Sequence, residues 1–201
     1  MSTPRLPAEE RRAALLETAC NSFSQGSYRG TTTAEIARDA GVTEPVLYRH
    51  FASKRDLYLA CLAETWAGVR AMWDETVAGE PDPALWIAAM GRSFIESEVA
   101  RPVISNLWVQ ALAEASEDEV IRAYMKEHMR EVHAYVVGVG RRAQATGAID
   151  PERDIEAESW IFISLGLLSM ADRVLDGVML DKWPAIRASR LRWLTGRELS
   201  D

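Results

Sequence analysis

The residues best equipped for chemistry lie close together, in the stretch TTTAEIARDAGVTEPVLYRHFASK from Thr31 to Lys54. It offers the hydroxyls of Thr33, Thr43 and Tyr48, the Arg49 guanidinium, the His50 imidazole, the Lys54 ammonium and the Glu44 carboxylate. Hydroxyls and cations at this density are donors for a phosphate-bearing partner. No HExxH, Walker loop, GxGxxG or GxSxG pattern occurs. His128 and His133 are five apart, so they do not share a helix face as an i, i+4 metal pair would. Glu127 and Glu131 do share a face, but Lys126 and Arg130 beside them make it a solvated stripe. The expectation is no catalytic residue, no metal and no cofactor.

The donors need elements to hold them. Strand signals are weak, and apolar residues recur at three and four, which predicts an all-α chain of about nine helices. A first helix is expected from Pro7 to Ser24, with Leu16, Cys20 and Phe23 on one face. Thr33 would cap a short helix through Asp39, and Thr43 a second through Phe51, with Pro45 tolerated in its first turn. Ile36, Ala37 and Ala40 face inward on the first, and Val42, Leu47 and Phe51 on the second. Gly41 between them suits a tight turn with positive φ. Two short helices joined by such a turn have helix-turn-helix geometry, in which the second helix enters the major groove of DNA. Thr43, Glu44, Pro45, Val46, Tyr48, Arg49 and His50 then face outward. Thr33 flanks them at a helix start, where amides and the dipole favour an anion, and Lys54 adds a mobile cation.

The remaining helices are expected over residues 53–78, with a Ser53/Asp56 capping box, 82–100 and 102–115. Further ones follow over 116–146, opened by a Ser116/Glu119 box, over 150–176 from Asp150-Pro151, and over 182–195.

The pattern TTT-x-E-I-A-x-x-A-G-V-T-x-x-x-L-Y-x-H-F-x-x-K-x-x-L resembles the N-terminal signature of the TetR family of bacterial repressors, over about residues 10–62. The resemblance implies that Thr33, Tyr48, His50 and Lys54 hold phosphates. It puts Thr43, Glu44, Pro45 and Val46 nearest the base edges, with Arg49 able to do either. Phosphate contacts set affinity and base contacts set preference. Glu44 would accept from a cytosine amino group, and Pro45 or Val46 would touch a thymine methyl. Many relatives carry a small or basic residue in place of Glu44 and glycine in place of Pro45. An acid at that position weakens general phosphate attraction.

Charge alone would not have suggested DNA. The 201-residue chain has a net charge of −7. Residues 1–60 hold eight Lys and Arg against seven Asp and Glu, however, so the acid sits in the later part. An acidic body disfavours broad non-specific binding to DNA. No apolar run is long enough to span a bilayer, and the N-terminus has no signal-peptide centre, which points to a cytoplasmic protein with no membrane partner. Cys20 and Cys61 fall on apolar stripes and read as core residues.

Behind the helix-turn-helix, seven tryptophans stand out. Core packing explains any one of them. The resemblance implies a ligand cavity in this region, with Trp66, Trp86, Met90, Phe94, Trp108, Tyr124, His128 and Trp160 as candidate wall residues for a small hydrophobic or aromatic effector. The run WIFISLGLLSMA is apolar nearly all round and must be buried on most sides. The last helix offers a partner stripe through Trp183, Ile186, Leu191, Trp193 and Leu194, so a homodimer through the last two helices is expected.

The expected organisation is a DNA-binding domain over residues 1–54 and a ligand-binding and dimerisation domain over 55–201. It would be a ligand-released repressor on a palindromic double-stranded DNA operator. The rival readings are a helical carrier of a hydrophobic ligand, favoured by the acidic charge, and an enzyme in which His128 acts in the cavity.

Overall fold

The computed structural model describes residues 8–100 and 102–196, leaving out the side chains of Ala8 and Ala100. Among these residues there are nine α-helices and one 3-10 turn, and no strand. The helices are α1 (Ala8–Gln25), α2 (Thr33–Asp39), α3 (Glu44–Tyr48), α4 (Lys54–Gly79), α5 (Trp86–Ala100), α6 (Val103–Glu114), α7 (Glu119–Ala145), α8 (Ile155–Val174) and α9 (Trp183–Thr195). The chain is all-α, as its periodicity predicts. No described helix is long and apolar enough to cross a membrane.

The helix ends correct several expectations. Thr32, not Thr33, caps α2: its hydroxyl accepts from the Glu35 amide while Glu35 reaches back to the Thr32 amide, completing a capping box. The helix α3 stops at Tyr48, three residues early, because its last amides turn to tighter bonds, Arg49 N to Val46 O and His50 N to Leu47 O. The cap of α7 is Asp118, whose carboxylate accepts from the amides of Val120 and Ile121, while Ser116 bonds back to Ala113 O. A 3-10 turn, Pro83–Leu85, precedes α5. The helix α8 begins at Ile155, with Asp154 as its cap. Gln144 Nε2 takes the carbonyls of Asp150, Pro151 and Arg153, and those bonds hold the preceding turn out of the helix.

The chain divides into two compact units, residues 8–68 with 102–125 and residues 69–100 with 126–196. In the first, α1 packs on α6 and on α2, burying Leu16, Ala19, Phe23, Leu107 and Ala111. Cys20 and Cys61 are both buried free thiols, 7% and 0% exposed, and burial pushes the Cys61 thiol well up. Tyr58 is fully buried, meets Phe23 edge-on at 5.1 Å and donates to Leu107 O at 2.7 Å. The end of α1 is closed by side chains of α6. Asn106 Nδ2 donates to Ser24 O, and Gln110 Nε2 donates to Phe23 O and Gly26 O. Those carbonyls have no partner within α1, so α6 supplies what the helix end lacks. A Cβ at Gly26 would come within 2.6 Å of Thr31 Oγ1, so the chain needs glycine to turn there.

The second unit is built around Trp73, whose Nε1 donates to Met90 O at 3.0 Å. Tyr135 stacks on Trp73 at 5.7 Å, and Phe162 meets it edge-on at 5.8 Å. Val137, Ala143, Ile149 and Ile155 form a cluster with Trp86 against it. Asp172, buried near the end of α8, accepts from the Met179 amide at 2.7 Å and from Trp183 Nε1 at 2.8 Å, and so fixes the start of α9.

Candidate nucleic-acid interface

The turn between α2 and α3 follows from its sequence. Gly41 takes a left-handed φ of 68°. That lets Val42 N reach Ala37 O and Gly41 N reach Arg38 O, the two crossed bonds of a Schellman motif. The chain can then reverse within four residues, with Ile36, Ala37 and Leu47 buried between the helices. Phe51 closes the same core, and the Arg12 guanidinium lies 4.8 Å above its ring.

This packing decides what α3 shows to solvent. Thr43, Pro45, Tyr48 and Arg49 are exposed; Glu44, Val46 and His50 are half-buried. Thr43 caps α3 without using its hydroxyl as a cap. Tyr48 is 42% exposed. Of the seven residues expected to face outward, four are therefore exposed and three half-buried, and Thr43, Arg49 and His50 flank α3 rather than belong to it.

Thr33 differs. It is only 7% exposed, and its hydroxyl sits between α2 and α3, bonded to Glu44 Oε1 and, at 3.0 Å, to Tyr48 OH. Glu44, expected to face bases, is thus tied to Thr33, and through it to Tyr48, both expected to face phosphates. Lys54 stands at the start of α4. Its Nζ donates to Arg29 O at 3.3 Å and lies 5.0 Å above the Tyr28 ring, and partial burial lowers its pKa.

Around Lys54 is a polar cluster that sequence reasoning missed. Arg29 pairs with Glu114 and Glu117, which raise its pKa, Glu117 most. Arg55 pairs with Asp118 at 3.0 Å. The amides of Ile121 and then the Arg55 guanidinium hold the Asp118 carboxyl below its usual range. Tyr28 N donates to Gln110 Oε1 at 3.0 Å. The partners are more than 60 residues apart in sequence, and no local pattern joins them. The one signal was Gln110 itself, a polar residue among the apolar positions of α6.

The eight candidate wall residues are distributed over both units. Trp66, Trp108 and Tyr124 belong to the first; Trp86, Met90, Phe94, His128 and Trp160 belong to the second. Met90, Phe94, Trp108 and His128 are buried, and burial pushes the His128 pKa down to about 4. Trp86 is half-buried and donates to Glu80 O. Trp160 is 44% exposed and stacks on His133 at 4.2 Å. Among the described residues no group of three or more His, Cys, Asp or Glu is placed to hold a metal ion.

Residues 15–61 match the sequence model of bacterial regulatory proteins, tetR family. Over 58 residues the chain is 52% identical to the HTH-type transcriptional activator FasR of Mycolicibacterium smegmatis. That match covers 29% of this chain and only 26% of FasR. A longer match, 28% identical over 149 residues, joins it to the HTH-type transcriptional regulator BetI of Rhizobium meliloti, covering 73% and 71% of the two chains. Among solved structures, the transcriptional regulator FadR of Bacillus subtilis in complex with stearoyl-CoA shares the fold, with a TM-score of 0.75 at 14% identity. That superposition covers 92% of this chain and 99% of FadR.

Proposed function

Since this chain is a member of the tetR family of bacterial regulatory proteins through its N-terminal helices, we propose that it is a homodimeric, ligand-responsive transcriptional regulator of the cytoplasm. It binds a palindromic DNA operator and acts as a repressor. The observation that carries the reading is the α2–Gly41–α3 turn, which leaves Thr43, Pro45, Tyr48 and Arg49 exposed along a short helix and its two caps. In the major groove, Thr43, Glu44, Pro45 and Val46 read base edges, and Thr33, Tyr48, His50 and Lys54 take phosphates, with Arg49 serving either. Residues 1–54 form the reading head, and 55–201 bind ligand and the second subunit.

Dimerisation through α8 and α9 is supported by what these helices leave exposed: Trp160, Ile161, Leu168, Val174 and Trp193. Apolar side chains at that density are expected to be covered by a partner, and a two-fold pairing covers the same patch on both copies. Two heads then meet successive major grooves. The effector is a small hydrophobic or aromatic molecule. The aromatic residues of the second unit and the acyl ligand in the FadR structure both favour that class. Ligand acts by a population shift, favouring a spacing of the two heads that the operator does not accept.

The FasR name supports a second reading, in which the bound protein activates transcription. The test of the core proposal is selection from random duplex DNA, with Tyr48→Ala/Lys54→Ala protein as control. A two-fold symmetric motif enriched by the wild type alone is the expected result. A folded dimer that enriches nothing at low salt would refute DNA reading and favour the helical carrier.

A further inference from the structure

Thr33, Glu44 and Tyr48 form a chain of hydrogen bonds with a defined direction. A carboxylate only accepts, so the Thr33 hydroxyl must donate to Glu44 Oε1. Its single proton is then committed, and the 3.0 Å contact with Tyr48 requires the Tyr48 hydroxyl to donate to Thr33 Oγ1. The Thr33 proton therefore goes to Glu44, and the Tyr48 proton goes to Thr33 Oγ1. These are two hydroxyls that would hold backbone phosphate, and the chain they form ends on an anionic oxygen, as it would on a phosphate oxygen.

We propose that Glu44 is an internal stand-in for phosphate, which holds the Thr33 hydroxyl in the free protein, and the Tyr48 hydroxyl through it, and yields the pair only when a base takes the carboxylate instead. The proposal rests on the DNA-reading function above and goes further, by making Glu44 a specificity-determining residue. On most sequences the carboxylate keeps its place, so the hydroxyls stay occupied and an added negative charge faces the phosphates. A cytosine amino group at the reading position offers the carboxylate a donor of its own. Its departure then frees the Thr33 hydroxyl to donate to phosphate, with the Tyr48 hydroxyl bonded beside it. Recognition of one base is thereby coupled to the strength of a sequence-independent grip.

The test measures binding of the full-length dimer to a scrambled duplex and to its selected operator, across a range of salt, for wild type, Glu44→Gln, Glu44→Ala and Glu44→Asp. One charge removed near a phosphate tightens scrambled-duplex binding by about fivefold per head at low salt. For a dimer docking both heads the gain is about 25-fold, from the same Coulomb estimate. The operator gains less, so the specificity ratio falls. Glu44→Asp keeps the charge and the weak scrambled binding. Glu44→Ala repeats the glutamine result, which guards against a variant that does not fold. Scrambled-duplex affinity unchanged or weakened in both neutral variants would overturn the stand-in while leaving DNA reading intact. A wild type that binds neither duplex would overturn both.

Discussion

Replacing Gln110 by leucine removes three bonds at once: those from Nε2 to Phe23 O and Gly26 O, and the one Oε1 accepts from Tyr28 N. A neutral hydrogen bond contributes about 1 kcal/mol net. The Gly26 bond is solvent-exposed, so water replaces it at little cost. The other two are part-buried, and leucine offers neither donor nor acceptor. The expected loss is therefore about 2 kcal/mol, or roughly 5 °C in Tm for a chain of this size. Glutamate at 110 keeps the acceptor but cannot donate, and so loses about half as much on the same scale. The assay is denaturant unfolding at fixed protein concentration, since the stability of the proposed dimer depends on it. The variant should also bind DNA more weakly, because the loop it anchors carries Arg29 O, the acceptor for Lys54. A leucine variant within about 0.5 kcal/mol of wild type, the range of ordinary surface substitutions, would refute the claim that α6 caps α1.

Other substitutions test separate parts of the structure. Gly41→Ala meets no atom within 4 Å, so its cost is left-handed strain alone, about 1–2 kcal/mol, read from the shift in denaturation midpoint. Lys54→Ala should weaken all duplexes alike and lower the slope of log K against log salt by about one per head. Asp172→Ala leaves the Met179 amide and Trp183 Nε1 without their acceptor, costs about 2–3 kcal/mol, and should shift sedimentation toward monomer if α9 is part of the dimer. His128 gives a pH effect. Its folded pKa, about 4, lies below the ordinary 6.5, so the unfolded chain binds the extra proton. Stability is therefore complete above pH 6.5 and falls by about 3 kcal/mol as pH drops toward 4. His128→Gln should remove that slope in denaturation measured from pH 4 to 7.

The reading head was legible in the sequence because its rules are local. Gly41 marks a positive-φ turn, Ile36, Ala37 and Leu47 mark the buried faces, and Tyr48 and Arg49 fall outside by helical phase. The same local rules were ambiguous at caps. Three consecutive threonines can each cap α2, and only the reach of Glu35 chooses Thr32. Asp150-Pro151 and Asp154 both signal a helix start, and Gln144, six or more residues away, decides between them. The Gln110, Arg29 and Arg55 contacts were not legible, since they join segments 63–88 residues apart. A glutamine or arginine on a helix carries no mark of whether its partner is water or a distant carbonyl. The link from Thr33 to Glu44 was hidden in the same way, because each residue alone has a sufficient role facing DNA.

The two cysteines give the first unit a clock of its own. They are the only thiols in the chain, both lie in the first unit, and both are closed to solvent. A thiol reagent can reach them only during an opening of α1 and α4, so the modification rate in excess reagent reports that opening rather than thiol reactivity when reclosing is slow. The second unit contributes no signal. Labelling with and without operator DNA would therefore time the loosening of the first unit alone, in the intact protein and without any engineered probe.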